Sequence, residues 1–580
     1  MHPPHRNQAG LRARVISWWF SAVLLSAALW MGCGKSEDKQ SEQDKPSEQD
    51  KPSEQAKNGS AGGTLELAKP KPATPEQKLA LPGSAKHLPA EVAVVVSIKA
   101  GDMMKKGGYA ELVKSPAFAA ISDEIDDEFV LGLIQDPAAA GLDVDQPIYI
   151  FSDIKPPADE FSDPEINGGL VASVKDPAKL KATVDLLLKR VGDEIPLKTV
   201  EKNGYTAILP PAPVALGYSK DALIIVINNN PEKAAAIPGQ LDDRFAGRNA
   251  LPKDSGAAAL LQRPHDLGVW LDINRAMDVL AGGLGNLADF GILPNVEGAE
   301  ISATVRFEPG SVALSVMSTS DAGNEQIEYS KGGLDQQLLK YVPKDTILVA
   351  AGAINMKPLR EYMIKEVMPG LKIGEFAEYV QQAENALGLT LADLLQIPKG
   401  DFLLTFEGVV QDDPMDFPIP QFLLGLSINN EAHLKTLIEG PAMAAPVAVI
   451  TAYGINLKST KDGLLISSEN HAAAVETGRD PNLADDQHLS LLAFNDFGAY
   501  LKFERLMALI NQFADADPNA QAEIQIAAQI LAQLDEAILT GKFGKGAEEL
   551  TGKLTFKDKK TNGLKQLVNL IQAIEAAGGE

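Results

Sequence analysis

The stretch Asp266–Leu280, DLGVWLDINRAMDVL, returns as Asp496–Ile510, DFGAYLKFERLMALI, with Asp, Gly, Leu, Arg and Met at identical spacing. Alternation places Val269 and Leu271 (or Ala499 and Leu501) on one face and Trp270 (or Tyr500) on the other. That period of two marks a half-buried strand. Nine residues after the acid, Arg275 or Arg505 opens a helix. The chain therefore writes one strand–helix unit twice.

Three further echoes occur in the same order. LPAEVAVVVSI from Leu88 meets VPKDTILVAAG from Val342. GLVASVKDPAKLK meets FLLGLSINNEAHLK, so that Leu170, Ser173, Leu180 and Lys181 fall on Leu424, Ser427, Leu434 and Lys435. SKDALIIVINNN from Ser219 meets TKDGLLISSEN from Thr460. Ordered self-similarity of this kind points to an internal duplication. Each copy reads as α+β: short β-rich runs bounded by turn residues, with capped helices between them. Ser115-Pro116, Asp176-Pro177 and Asn430 are the helix starts. Turns at KNGY (near Asn203) and SKDA (near Lys220) imply hairpins and a mainly antiparallel sheet. The expected architecture is two tandem copies, 87–330 and 331–580, each a sheet with one helical layer.

The opening LPAEVAVVVSI, the later GLDVDQPIYIF and the hairpin YSKDALIIVI together resemble a bacterial family of exported lipoproteins known only as a domain of unknown function. The likeness is best in the first copy and rests on strands and turns. It implies an envelope location and supplies no activity, cofactor or functional residue.

The N-terminus fits that location. Arg6, Arg12 and Arg14 precede the uncharged run Val15–Met31, which is the layout of an export signal. Seventeen residues fall short of the roughly 20 that a membrane helix needs. Cys33 is the chain's single cysteine, and Gly32-Cys33 resembles the end of a lipoprotein signal, although Trp30 and Met31 depart from that pattern. The expectation is lipidation at Cys33, anchoring in the bacterial cell envelope and a body on the exported side. Whether segment 1–33 is removed or stays as a span is left open. Residues 34–86 contain repeated SEQDKP and balanced charge, so they form a disordered tether with no core to join.

The formal net charge is −25 over 580 residues, and the body from residue 87 carries −28. Such a field repels nucleic acid. The acids Asp123, Glu124, Asp126, Asp127 and Glu128 fall on the solvated side of a helix. The stretch from Asp515 has Ala520 and Ile526 where a calcium loop needs Gly and Glu. GLGNLA (Gly283–Ala288) follows a helical run rather than a strand, and the GKG around Lys545 lacks phosphate-loop spacing. The histidines read as scattered surface residues, so no metal, cofactor or catalytic set is assigned. The recurring Asp266, Arg275, Asp496 and Arg505 read as structural, an ion pair or cap at each strand–helix junction; Lys220-Asp221 and Lys461-Asp462 read as hairpin turns. A non-enzymatic binding or scaffolding module is the leading functional expectation. A carrier or sensor of an apolar ligand and a hydrolase with a dispersed site are the alternatives.

Overall fold

Period-two runs set the strands β1 (Val94–Ile98), β2 (Ile148–Lys155), β3 (Glu165–Ser173), β4 (Lys198–Glu201), β5 (Thr206–Leu209) and β6 (Val214–Tyr218). They continue as β7 (Ala222–Asn228), β8 (Leu267–Asp272), β9 (Glu300–Glu308), β10 (Ser311–Thr319), β11 (Leu348–Ala353) and β12 (Pro398–Val410). The last are β13 (Ile419–Ile428), β14 (Ile455–Thr460), β15 (Gly463–Ser468), β16 (Phe497–Lys502), β17 (Leu534–Gly544) and β18 (Ala547–Phe556). This computed structural model describes residues 79–113, 136–155, 164–191, 196–273, 299–319, 330–343, 346–371, 376–410, 419–460, 463–468, 486–514, 521–544 and 547–578, with Gly132 and Arg275. Cys33, the signal-like segment and all but the end of the expected tether lie outside these residues. So do the Ser115 helix with its acidic cluster, Gly283–Ala288, Asp515–Ala520, the GKG around Lys545 and the Lys461-Asp462 turn.

The pairings give one antiparallel sheet in the order β4-β5-β6-β7-β3-β2-β1-β8-β9-β10-β18-β17-β16-β11-β12-β13-β15-β14. From β6 to β10, and from β14 to β18, the halves run through the same order, and they meet where β10 pairs with β18. The β4–β5 hairpin is an addition to the first half. Register agrees as well as order. Val95 faces Phe151 and Trp270, and Val349 faces Thr405 and Tyr500. Leu170 lies between Ile150 and Ile225, and Leu424 between Leu404 and Ile466. The sheet is thus continuous across residue 330, where the sequence suggested a domain boundary.

The expected single helical layer is not what forms, because the strands are apolar on both sides. β7, ALIIVIN, buries Ile224 and Val226 on one face and part-buries Leu223 and Ile225 on the other. On the first face lie α3 (Ile237–Ala246) and α4 (Gly256–Leu261), which close over Val95, Phe151, Val226 and Trp270. In the second half α8 (Asp486–Ala493) covers Val349, Leu403 and Tyr500 in the same way. The opposite face carries α2 (Pro177–Val191), whose Leu180 and Val184 meet Ile208 and Tyr218. Asp176 starts that helix by accepting the N–H groups of Ala178 and Lys179, and Asn430 accepts that of His433, as the sequence implied. Also on this face are α9 (Phe503–Ala514), α10 (Gln521–Leu531) and α11 (Gly563–Gly578). α11 crosses the seam: it packs against β10 and β18, and against α1 (Ala100–Gly107) of the first half.

Candidate functional site

Asp266 and Asp496 head β8 and β16 as expected, and both are nearly enclosed, at 3% and 5% exposure. Each accepts one backbone N–H from the neighbouring strand, Phe307 at 2.7 Å and Phe543 at 2.9 Å, which occupy the same register position. Their other partners differ. Asp266 binds the Lys106 ammonium through both oxygens, at 2.6 and 2.7 Å. Asp496 instead gathers the Ser330 hydroxyl and the N–H groups of Lys331 and Gly332. A second buried carboxylate, Asp401, holds the same segment through the Lys331 ammonium and the Asp335 N–H.

Arg275 turns away from Asp266. Its Nη1 donates to Asp153 Oδ1 at 2.8 Å, and its Nε lies 3.5 Å from Asp272. Asp272 also accepts the Arg275 N–H and so caps the helix. Arg505 is half-buried in the first turn of α9. In the first half the junction thus holds an ion pair and a cap, with the described contacts of Arg275 going to Asp153 and Asp272 and those of Asp266 to Lys106 and Phe307.

The histidines need correction. His87 and His265 are buried, not on the surface, at 5% and 4% exposure. The His265 ring lies 2.7 Å from the Arg263 carbonyl and 2.9 Å from the Ser97 hydroxyl; His87 lies 2.8 Å from the Arg244 carbonyl. Burial pushes both imidazoles below their ordinary value of 6.5. An unfolded imidazole then takes up a proton that the folded one resists. The resulting stability is complete above about pH 6.5 and is lost as pH falls through the folded values. Melting temperature should drop between about pH 7.5 and 5.5, and a His87→Gln/His265→Gln chain should show a flatter profile. Thermal denaturation across that range checks this; an equally steep profile in the double variant removes the two rings as the cause.

No group of three or more His, Cys, Asp or Glu side chains suited to a metal occurs among the described residues. The site that does form lies at the seam. A cleft of about 620 Å³ opens over β9, β10, β18 and β17, on the side of α4 and α8. Pairing registers place Thr304, Ser315, Thr551 and Thr540 in one row across these four strands. The Thr540 and Thr551 hydroxyl oxygens are 2.7 Å apart. Arg306 and Lys553 stand in the adjacent row, with Glu308 at 3.6 and 3.9 Å from them. Leu491 of α8 and Ile538 supply apolar wall.

Arg263, just beyond α4, forms the opposite wall. Among the described contacts its guanidinium donates only to the Met317 thioether, at 3.1 Å. Sulfur is a weak acceptor, so most of this planar set of five donors is left for something else. Little in the sequence announced the cleft, since its floor exists only once residues 236 apart, such as Ser315 and Thr551, are paired. A local signal was present in the alternating small hydroxyl residues of EISATVRFEPGSVALSVMST.

The family model described as "Domain of unknown function (DUF4836)" matches residues 85–455, from the start of the first half into β14. No curated protein matches the chain. Two solved structures of TP0453, crystal forms III and I, are similar at 9% and 8% identity with TM-scores of 0.23 and 0.17. They cover 44% and 68% of this chain and 84% and 98% of their own. Likeness of that degree carries no inference about fold or function.

Proposed function

The chain belongs to the family described as Domain of unknown function (DUF4836), and on that footing we propose that it is a lipid-anchored envelope protein whose body is a non-enzymatic binding module. Its two halves are read as copies of one unit; equal strand order and register support this, as do the four ordered echoes in sequence. The basic start, the apolar run and Gly32-Cys33 support export and anchoring through Cys33.

The binding site is the seam cleft. The observation that carries this is Arg263, a half-buried guanidinium on the cleft wall that, among the described contacts, meets only a thioether. The cleft lies within the 300–1,000 Å³ range, in order of magnitude, of small-molecule sites. Its lining, which also carries Glu549 opposite Met317 in register, suits a ligand with an anionic head for Arg263, hydroxyl-bonding groups over the Thr/Ser row and a short apolar part against Leu491 and Ile538. That mixed lining favours a binding module over a carrier of a purely apolar ligand. Calorimetric titration with dodecyl phosphate, dodecyl maltoside and inorganic phosphate tests it. Dodecyl phosphate should bind best, and Arg263→Ala should weaken it by about tenfold, the worth of one charge-assisted contact. Equal binding by parent and Arg263→Ala would remove the cleft as the site.

A further inference from the structure

One helix breaks the rule that an all-apolar helix is buried or in a membrane. α7 (Pro441–Ala452), PAMAAPVAVITA, carries no charged residue, and the uncharged run continues through Tyr453 and Gly454. None of its twelve residues is buried. Val449 is 54% exposed and Tyr453 is 72% exposed. Its only side-chain hydroxyl is already used, since Thr451 donates to the Val447 carbonyl at 2.8 Å. Beside α7 packs α5 (Phe376–Leu387), where Tyr379 is 70% exposed. An exposed apolar helix thus has Tyr453 just past its end and exposed Tyr379 on the helix beside it, side chains that favour the boundary between hydrocarbon and water.

We propose that α7 with Tyr379 and Tyr453 is a second membrane contact, laid into the surface of a bilayer of low charge. This rests on the reading that Cys33 holds the chain at a membrane. The helix lies on the surface rather than spanning it, for twelve residues rise only about 18 Å against a core of about 30 Å. The preceding α6 (Glu431–Glu439) is bent from it by 76°, so the pair makes no straight span.

Reach and charge select lipid as the occupant. The described chain begins at Leu79, whose N–H bonds to the Gln262 carbonyl just before β8. α7 packs against β14, the outermost strand of the second half. Ten strand spacings from β8 to β14 amount to roughly 50 Å. The segment from Cys33 to Leu79 extends to roughly 150 Å, so anchor and helix can touch one membrane together. The body's −28 charge opposes approach to anionic lipid, and an uncharged helix is where such a body can meet a neutral surface.

The test uses the full lipidated chain with Val449→Cys, labelled with an environment-sensitive fluorophore, on phosphatidylcholine vesicles. Acylation blocks the sulfur of Cys33, so one label per chain is expected. Emission at position 449 should shift to the blue and be quenched at least twofold by lipids spin-labelled near the headgroup. A label at Lys220→Cys, an exposed turn of the first half, should do neither. Adding Ala445→Glu and Ala448→Glu, both exposed, should abolish the 449 response with melting unchanged. A water-like label at 449 while the protein floats with vesicles overturns the proposal. A blue shift without vesicles that grows with protein concentration overturns it too, placing a second copy on α7. Two labels per chain would instead overturn the anchor; the 449 emission of a Cys33→Ser chain then still decides the helix.

Discussion

Asp496→Ala is expected to cost about 3–5 kcal/mol of unfolding free energy, because it removes a buried carboxylate that gathers four donors at once. The carboxylate, 5% exposed, accepts the Ser330 hydroxyl at 2.9 Å and the N–H groups of Lys331, Gly332 and Phe543 at 3.1, 3.0 and 2.9 Å. Alanine offers nothing to any of them; the Gly332 N–H keeps the Ser330 hydroxyl at 3.2 Å, while the Lys331 and Phe543 N–H groups lose the carboxylate. Asp496→Asn should fall between parent and alanine, since its NH₂ would point at donors. Asp266→Ala should cost less, about 2–4 kcal/mol. There only the Phe307 N–H is left behind, while Lys106, 34% exposed, swings into water. Chemical denaturation of the three chains gives the order. A loss below about 1 kcal/mol for Asp496→Ala would show that the segment from Ser330 is not pinned by it. Ligand binding per folded molecule should be unchanged in all three, which separates a support from a site.

Two acids at equal spacing before Leu and Arg, each at a strand head, could be found by reading; their burial, at 3% and 5% exposure, could not. Their partners could not, because Lys106 precedes Asp266 by 160 residues and Ser330 precedes Asp496 by 166. Which carboxylate serves Arg275 was equally hidden: Asp153, two strands away on β2, comes to it only once the sheet is assembled. His265 lies between Pro264 and Asp266, so no apolar pattern announced that Ser97 and the Arg263 carbonyl would enclose it. Likewise β7 was recognisable as a strand from ALIIVI, but that unbroken apolar run also asked for cover on both faces. The hairpins within each half follow from its turns, whereas pairings such as β1 with β8 and β11 with β16 join strands far apart in sequence. The seam does not, because nothing local to SVALSVMST or AEELTGKLTF selects the other as neighbour.

That seam makes Ser315→Pro the second large effect, at about 3 kcal/mol or more. β10 is internal, flanked by β9 and β18, with Ser315 opposite Thr304 and Thr551. Whichever neighbour the Ser315 amide faces, proline removes a ladder donor and sets its ring against that strand. The damage cannot be shed to solvent, as it could on an outermost strand, because breaking either pairing parts the two half-sheets. Described contacts left to bridge them include α11 against α1 and β9, the Asn562 amide on the Phe307 carbonyl, and the Lys553–Glu308 and Lys565–Glu111 ion pairs. The Lys565–Glu111 pair is largely exposed and screened by water, so it adds little. Ser315→Ala is the matching control: it keeps the backbone, costs about 0–1 kcal/mol and subtracts one hydroxyl from the cleft floor. The proline chain should therefore unfold much earlier in denaturant, while the alanine chain unfolds near the parent and binds the phosphate probe more weakly. Should Ser315→Pro stay within about 1 kcal/mol of the parent, β10 would have to be an edge strand, and the cleft would lose half its floor.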